Sequence, residues 1–190
     1  ALSSASCTEA AAVKTVTVAP GAALRLSPRD VGLTTFYGSA HLAATQPLAA
    51  TVDVMLNDNR QMMTYTVLPR AARYLLPLVL QNQSNATDRW STVLKLQNPS
   101  TVENRLVSER LFDLNGAPAS SSASQRLCTG SSRLIEVNGL VQQSDFVGSG
   151  DALDGPAVAQ LSNFGLDQFD GYSGVTPDQT APRLAVPIQR

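Results

Sequence analysis

The chain has 190 residues, room for one ordinary domain or two small ones, and only 15% of it is charged, against roughly 25% in a typical soluble domain. Formal net charge is −1 with no long run of one sign, which excludes the basic stripe that nucleic-acid binders use to displace phosphate counterions. No apolar run approaches the roughly 20 residues that span a bilayer, whereas 43% hydrophobic content is enough for a packed core.

The chain opens Ala1-Leu2-Ser3-Ser4-Ala5-Ser6, the small-residue start left by removal of a secretory signal; a proteolysed start has the same look. Cys7 follows, and its only companion is Cys128, 121 positions further on. In an oxidising compartment the pair reads as a disulfide pinning the N-terminal segment to the second half, worth roughly 4–5 kcal/mol in the loop-entropy model. Two buried thiols, or a thiol bridging to another molecule, are the alternatives. With a single histidine, His41, and no Cys-x-x-Cys, a zinc site is excluded, and no metal or cofactor is expected.

Short alternating segments then run the length of the chain. Val13 leads into Thr15-Val16-Thr17-Val18, which puts Val16 and Val18 on one face before Pro20-Gly21 ends the segment. Leu24 and Leu26 flank Arg25; Val52, Val54 and Leu56 oppose Thr51, Asp53 and Met55; Leu94 and Leu96 flank Lys95. This period of two marks half-buried strands. A strand is expected over Leu76–Leu80, a hairpin turn at Asn115-Gly116, and strand plus loop from Ala157 to Phe169, because Gly165 interrupts any helical reading. Trp90 is expected to pack under the sheet. The fold class is all-β, built as sandwiches.

Four matches recur in order at offsets of 109 to 110 residues. Pro20-Gly21-Ala22-Ala23-Leu24-Arg25-Leu26 resembles Thr129-Gly130-Ser131-Ser132-Arg133-Leu134-Ile135, and Tyr37-Gly38-Ser39-Ala40 resembles Val147-Gly148-Ser149-Gly150. Pro47-Leu48-Ala49-Ala50-Thr51-Val52 resembles Pro156-Ala157-Val158-Ala159-Gln160-Leu161, and Leu75-Leu76-Pro77-Leu78 resembles Ala185-Val186-Pro187-Ile188. The reading is a diverged tandem repeat cut out of phase. Residues 1–70 form a partial sandwich unit lacking the opening strands, 71–183 a complete unit, and 184–190 the opening strand of a unit that does not continue. An incomplete sheet exposes edges and apolar faces that soluble monomers avoid, and β-strand addition between molecules would cover them, head to tail. The alternatives are a smaller first unit needing no partner, a terminal segment folded back on its own domain, or a sequence that is a fragment of a longer array.

Leu76-Pro77-Leu78-Val79-Leu80-Gln81-Asn82, Trp90-Ser91-Thr92 and Leu96-Gln97-Asn98-Pro99-Ser100, with Pro20-Gly21-Ala22, Gly38-Ser39-Ala40 and Gln46-Pro47-Leu48-Ala49-Ala50, resemble repeat modules of large bacterial cell-surface and secreted proteins. The resemblance covers most of the chain except 119–127 and 139–155, and implies two immunoglobulin-like, non-enzymatic extracellular modules with no active-site residue to carry over. The organisation is analogous to that of donor-strand pilus subunits.

Little chemistry competes with a structural role. Asn82-Gln83-Ser84 and Asn85-Ala86-Thr87 are sequons, so Asn82 and Asn85 are candidate glycan sites. Asp-Gly turns at 154–155 and 170–171 lack the spacing of a calcium loop. His41 sits beside apolar neighbours, and carboxylates such as Glu103 and Glu109 fall in no pattern that singles out a catalytic pair. The expectation is a non-enzymatic extracellular or cell-surface protein that polymerises with copies of itself, spans no membrane and binds no nucleic acid. Leu184, Val186 and Ile188 are the favoured donor-strand knobs, and Val13, Val16 and Val18 the second candidates. A monomeric adhesion or carbohydrate-binding module, or a passive spacer, are the alternative functions.

Overall fold

The computed structural model describes residues 13–34, 39–56, 61–67, 71–85, 88–100, 102–120, 123–163 and 168–177. Before residue 71 their regular structure is a 3-10 turn at Pro28–Val31 and one antiparallel hairpin, β1 (Thr51–Leu56) with β2 (Gln61–Thr66). The remaining strands build a two-sheet sandwich: β3 (Arg73–Gln81), β4 (Gln83–Asn85), β5 (Asp88–Gln97), β6 (Arg105–Asp113), β7 (Ala123–Leu127), β8 (Ser132–Glu136), β9 (Phe146–Leu153), β10 (Ala157–Asn163) and β11 (Gln168–Ser173).

One sheet runs β3-β9-β6-β7. The other is organised around β5, with β10 and then β11 along one edge and both β4 and β8 along the opposite edge. Every pairing is antiparallel. The all-β sandwich expected from the alternation is therefore present. Its connectivity is its own: immunoglobulin constant domains keep their first two strands in one sheet, whereas β3 and β5 lie in different sheets, and so do β9 and β10.

The period of two explains the core. Leu94 and Leu96 of β5, Val107 and Leu111 of β6, and Ala157 and Ala159 of β10 point inward with Tyr74, Leu76, Phe146 and Ile135, all buried in one cluster. Each fully buried large apolar side chain contributes roughly 1.5–3 kcal/mol by leaving water. β3 keeps the same face inward across Pro77 by a bulge: its register on β9 shifts between Leu76 and Val79, Pro77 and Leu78 are both exposed, and Val79 returns to the interior. Proline has no N–H for the ladder, and an extra residue in the strand absorbs that loss. Tyr74 and Phe146 are the largest fully buried side chains; Trp90, expected in the core, is only half-buried at the end of the inward face of β5.

Two polar devices fix the loops. Buried Asn98, one residue beyond β5, donates Nδ2 to the carbonyls of Glu103 (2.9 Å), Leu127 (3.1 Å) and Cys128 (3.0 Å), and accepts from the Ser100 N–H (2.9 Å). It thereby ties the β5–β6 loop to the end of β7. On the outer face of the other sheet, Asp151 is fully buried between Arg73 and Arg110, the Arg73 guanidinium approaching to 2.7 Å. The expected turn at Asn115-Gly116 is present: Gly116 has φ 81° and its N–H donates to the Asp113 carbonyl, while Asp113 Oδ1 accepts from the Asn115 and Ala117 amides.

The N-terminal residues touch the outer face of the β5 sheet. Met63, from β2, packs where a Cβ on Gly171 of β11 would stand, and Ser173 Oγ donates to the Thr66 carbonyl at 2.7 Å. Gln97 Nε2 donates to the Ala40 carbonyl at 3.4 Å, and Ser39 Oγ to that of Gly130.

Candidate assembly surface

The sandwich of 71–177 serves as a template for what precedes it. Residues 19–22 make the same turn as 128–131: the Ala22 N–H donates to the Ala19 carbonyl and the Ser131 N–H to that of Cys128, with Gly21 at φ 75° and Gly130 at φ 66°. Only glycine takes that left-handed backbone without cost, so the two repeat copies share their turn for a physical reason. In the later copy this turn leads from β7 into β8. In the earlier copy it leads from Thr15–Val18 to Leu24–Leu26, where the alternation predicts strands and the structure has none. The difference follows from the neighbours. β7 is held by β6 and β8 by β5, whereas among the described residues no strand pairs with Thr15–Val18 or Leu24–Leu26. Alternating side chains do not make a strand without a ladder to join.

The consequence is exposure. Of thirteen exposed large apolar side chains among the described residues, nine fall between Val13 and Met62: Val13, Val16, Val18, Leu24, Leu26, Leu42, Leu48, Met55 and Met62. Val13 is 87% exposed, Leu24 51% and Leu48 56%. Among the described residues before 71, only Met63 is buried. What holds this stretch is local and polar. Ser27 and Asp30 form a reciprocal cap on the 3-10 turn, with Asp30 Oδ2 accepting from the Ser27 N–H (2.7 Å) and hydroxyl (2.6 Å), and Lys14 Nζ donates to the Asp30 carbonyl at 2.7 Å. Those Ser27 bonds hold the Asp30 carboxyl below its ordinary range.

The sandwich closes one of its own edges. Along β3, Val175 forms a two-way bridge with Leu75 (2.7 and 2.9 Å), and the Tyr172 hydroxyl sits on Leu78, accepting from its N–H at 3.1 Å and donating to its carbonyl. Further on, Thr92 Oγ1 takes the Leu80 N–H (2.9 Å) and Ser91 Oγ the Asn82 N–H (3.1 Å). Burial pushes the Tyr172 hydroxyl up to about 12, against the opposing pull of its bond to Leu78. At the opposite flank, among the described residues, β7 pairs in a ladder only with β6, and β8 only with β5.

Beside β7, Glu109 of β6 is fully buried between Val107 and Leu111 on the inward face, opposite Ala152 of β9. Neither carboxyl oxygen has a hydrogen-bond partner in another residue, and Gln125 Oε1 on β7 lacks one too. Burial pushes the Glu109 carboxyl up to about 7, outweighing its own backbone N–H and the charge of Arg133 on β8.

The residues singled out from sequence fall as follows. Val13, Val16 and Val18 are exposed and outside any strand. Leu184, Val186, Ile188 and Cys7 lie outside the described residues. Cys128 is half-buried just beyond β7, and no free cysteine occurs among the described residues. Asn82 is exposed at φ 47° between β3 and β4, and Asn85 ends β4, paired in register with Asp88. His41 is exposed, and no group of His, Cys, Asp and Glu able to hold a metal occurs among the described residues. No helix among them is long and apolar enough to cross a membrane. Comparison with known protein families, with characterised proteins and with solved structures found no match.

Proposed function

We propose that this chain is a structural subunit of an extracellular or cell-surface fibre, assembled head to tail from copies of itself by β-strand addition. The observation carrying this reading is the row of exposed apolar side chains from Val13 to Leu48, outside any strand among the described residues, whereas the matching residues of 71–177 pair in ladders with β3, β5 and β6. Strands from another molecule are the natural complement: main-chain hydrogen bonds supply affinity and the alternate apolar side chains supply register. A head-to-tail contact whose rotation does not close a ring gives an open fibre.

Other features agree with an extracellular setting. Cys7 and Cys128, the chain's only cysteines, would form a bridge closing the N-terminal segment onto the end of β7. The exposed Asn82 sequon would carry a glycan away from the sandwich core, and Asn85 is the second proposed glycan site. Burial of four leucine side chains would contribute roughly 6–12 kcal/mol, comparable with the roughly 4–15 kcal/mol lost on association, so the main-chain bonds are needed as well.

The test uses side chains that are exposed in the monomer. Leu42→Asp combined with Leu48→Asp leaves monomer melting unchanged and removes the higher-mass species seen by size-exclusion chromatography with light scattering. If the double variant assembles as readily as the parent, this segment is not part of the contact and the reading fails.

A further inference from the structure

Strand addition leaves open which strand arrives and in what register. The β3–β9 ladder and the repeat together fix both, and this inference rests on the fibre reading above. In the complete unit, Arg73 lies opposite Leu153, Tyr74 opposite Ala152, Leu75 opposite Asp151 and Leu76 opposite Gly150. The repeat relates Leu76 to Val186 and Gly150 to Ala40 by the same offset of 110 residues. Residues 39–43, standing where β9 stands in the complete unit, belong to no strand; Leu42 is 49% exposed, and Ala40 and His41 are exposed beside it.

We infer that residues 183–188 of one copy pair antiparallel with residues 39–43 of the next, reproducing the β3–β9 ladder between molecules. Transposing the observed register sets Arg183 opposite Ala43, Leu184 opposite Leu42, Ala185 opposite His41 and Val186 opposite Ala40. Leu184 and Val186 then occupy the inward positions held by Tyr74 and Leu76, and they cover Leu42. Ala185 and His41 fall on the outer face, in the places of Leu75 and Asp151. The Pro187 position corresponds to Pro77, where β3 makes its bulge, so the same irregularity is accommodated in the donated strand.

The occupant is argued from this chain alone. Its sequence has one segment that repeats β3 and one stretch, residues 39–43, that repeats β9 and pairs with no strand among the described residues. The acceptor is not the β3 edge itself, which Val175, Tyr172, Thr92 and Ser91 already satisfy. Nor does the inference need any residue of the sandwich core to move.

Two full-length variants, Leu184→Cys and Leu42→Cys, each keeping Cys7 and Cys128, are mixed, allowed to assemble and mildly oxidised. Directly opposed strand residues lie within disulfide reach, so a cross-linked species of twice the subunit mass forms. Its yield exceeds that of the one-residue-shifted pair Ala185→Cys with Leu42→Cys by about tenfold, since a shift of one turns the side chain to the other face. Thermal melting of each variant checks that the subunit is intact. Equal yields from the two pairs, or fibres without any Leu184–Leu42 link, overturn this register while strand addition stands. A link formed within a single chain carrying both substitutions, in place of one between chains, overturns the intermolecular contact. Absence of any assembly by the parent chain removes the fibre reading itself.

Discussion

Glu109 offers the sharpest test of the sandwich interior. Replacing it by Gln keeps shape and volume and removes one titration. In the folded chain burial holds this carboxyl near 7, against 4.5 for an unburied glutamate. The folded state therefore retains a proton that the unfolded state has already released. The contribution of Glu109 to stability is highest below about pH 4.5, falls as pH rises, and levels off above about 7. The full difference is on the order of 3 kcal/mol at 1.36 kcal/mol per pH unit, an upper figure because Arg133 on β8 faces the group and favours its charged form. Glu109→Gln loses this slope: near pH 4 it matches the parent, and near pH 8 it is more stable by up to about 3 kcal/mol, its amide able to donate where Gln125 Oε1 has no partner. Urea unfolding across this range, followed by Trp90 fluorescence, measures both proteins. A parent whose midpoint is flat between about pH 5 and 7, or a Gln variant that keeps the parent's slope, would refute a buried, unpaired carboxyl on β6.

Three substitutions probe other parts of the frame. Asn98→Ala removes four hydrogen bonds from one buried side chain and takes a donor from the Glu103, Leu127 and Cys128 carbonyls, of which Cys128 keeps only its bonds from Ser131, so chemical denaturation should show a loss of about 2–4 kcal/mol; Asn98→Asp, with no amide to donate, should not recover it. Gly148→Ala would place a methyl inside the shell of the Phe112 carbonyl oxygen and 2.5 Å from Phe146 Cζ; pushing β9 away from β6 should cost about 1–3 kcal/mol and lower the melting temperature. Tyr172→Phe frees the N–H and carbonyl of Leu78 on the β3 edge, with an expected loss of about 1–2 kcal/mol and faster hydrogen exchange at the Leu78 amide.

Sequence and structure agree where a local rule acts alone. Leu94 and Leu96 point inward and Lys95 outward because pleating alternates side chains whatever the neighbours, and the Asn115-Gly116 turn follows from glycine's left-handed freedom. Gln97-Asn98 stands among the residues that carry the repeat-module resemblance, but that Asn98 ties three carbonyls together depends on where β7 ends, a contact 30 residues away. The strands expected at Thr15–Val18 and Leu24–Leu26 fail for the opposite reason: their alternation is sound, but a strand exists only beside a partner, and among the described residues none pairs with them. Glu109 carried a readable signal, its place between Val107 and Leu111 in a period-two strand, yet a carboxylate there looks like an outward residue until both sheet faces are known to be filled. The closed β3 edge was not legible at all, since Tyr172 reaches it from 94 residues away.

Electron microscopy of the full-length chain, taken from dilute to concentrated solution beside light scattering of the same samples, tests strand addition most directly. Strand addition predicts fibres one subunit wide, growing with concentration and carrying a subunit repeat. A uniform monomer of 20.1 kDa at every concentration would contradict it.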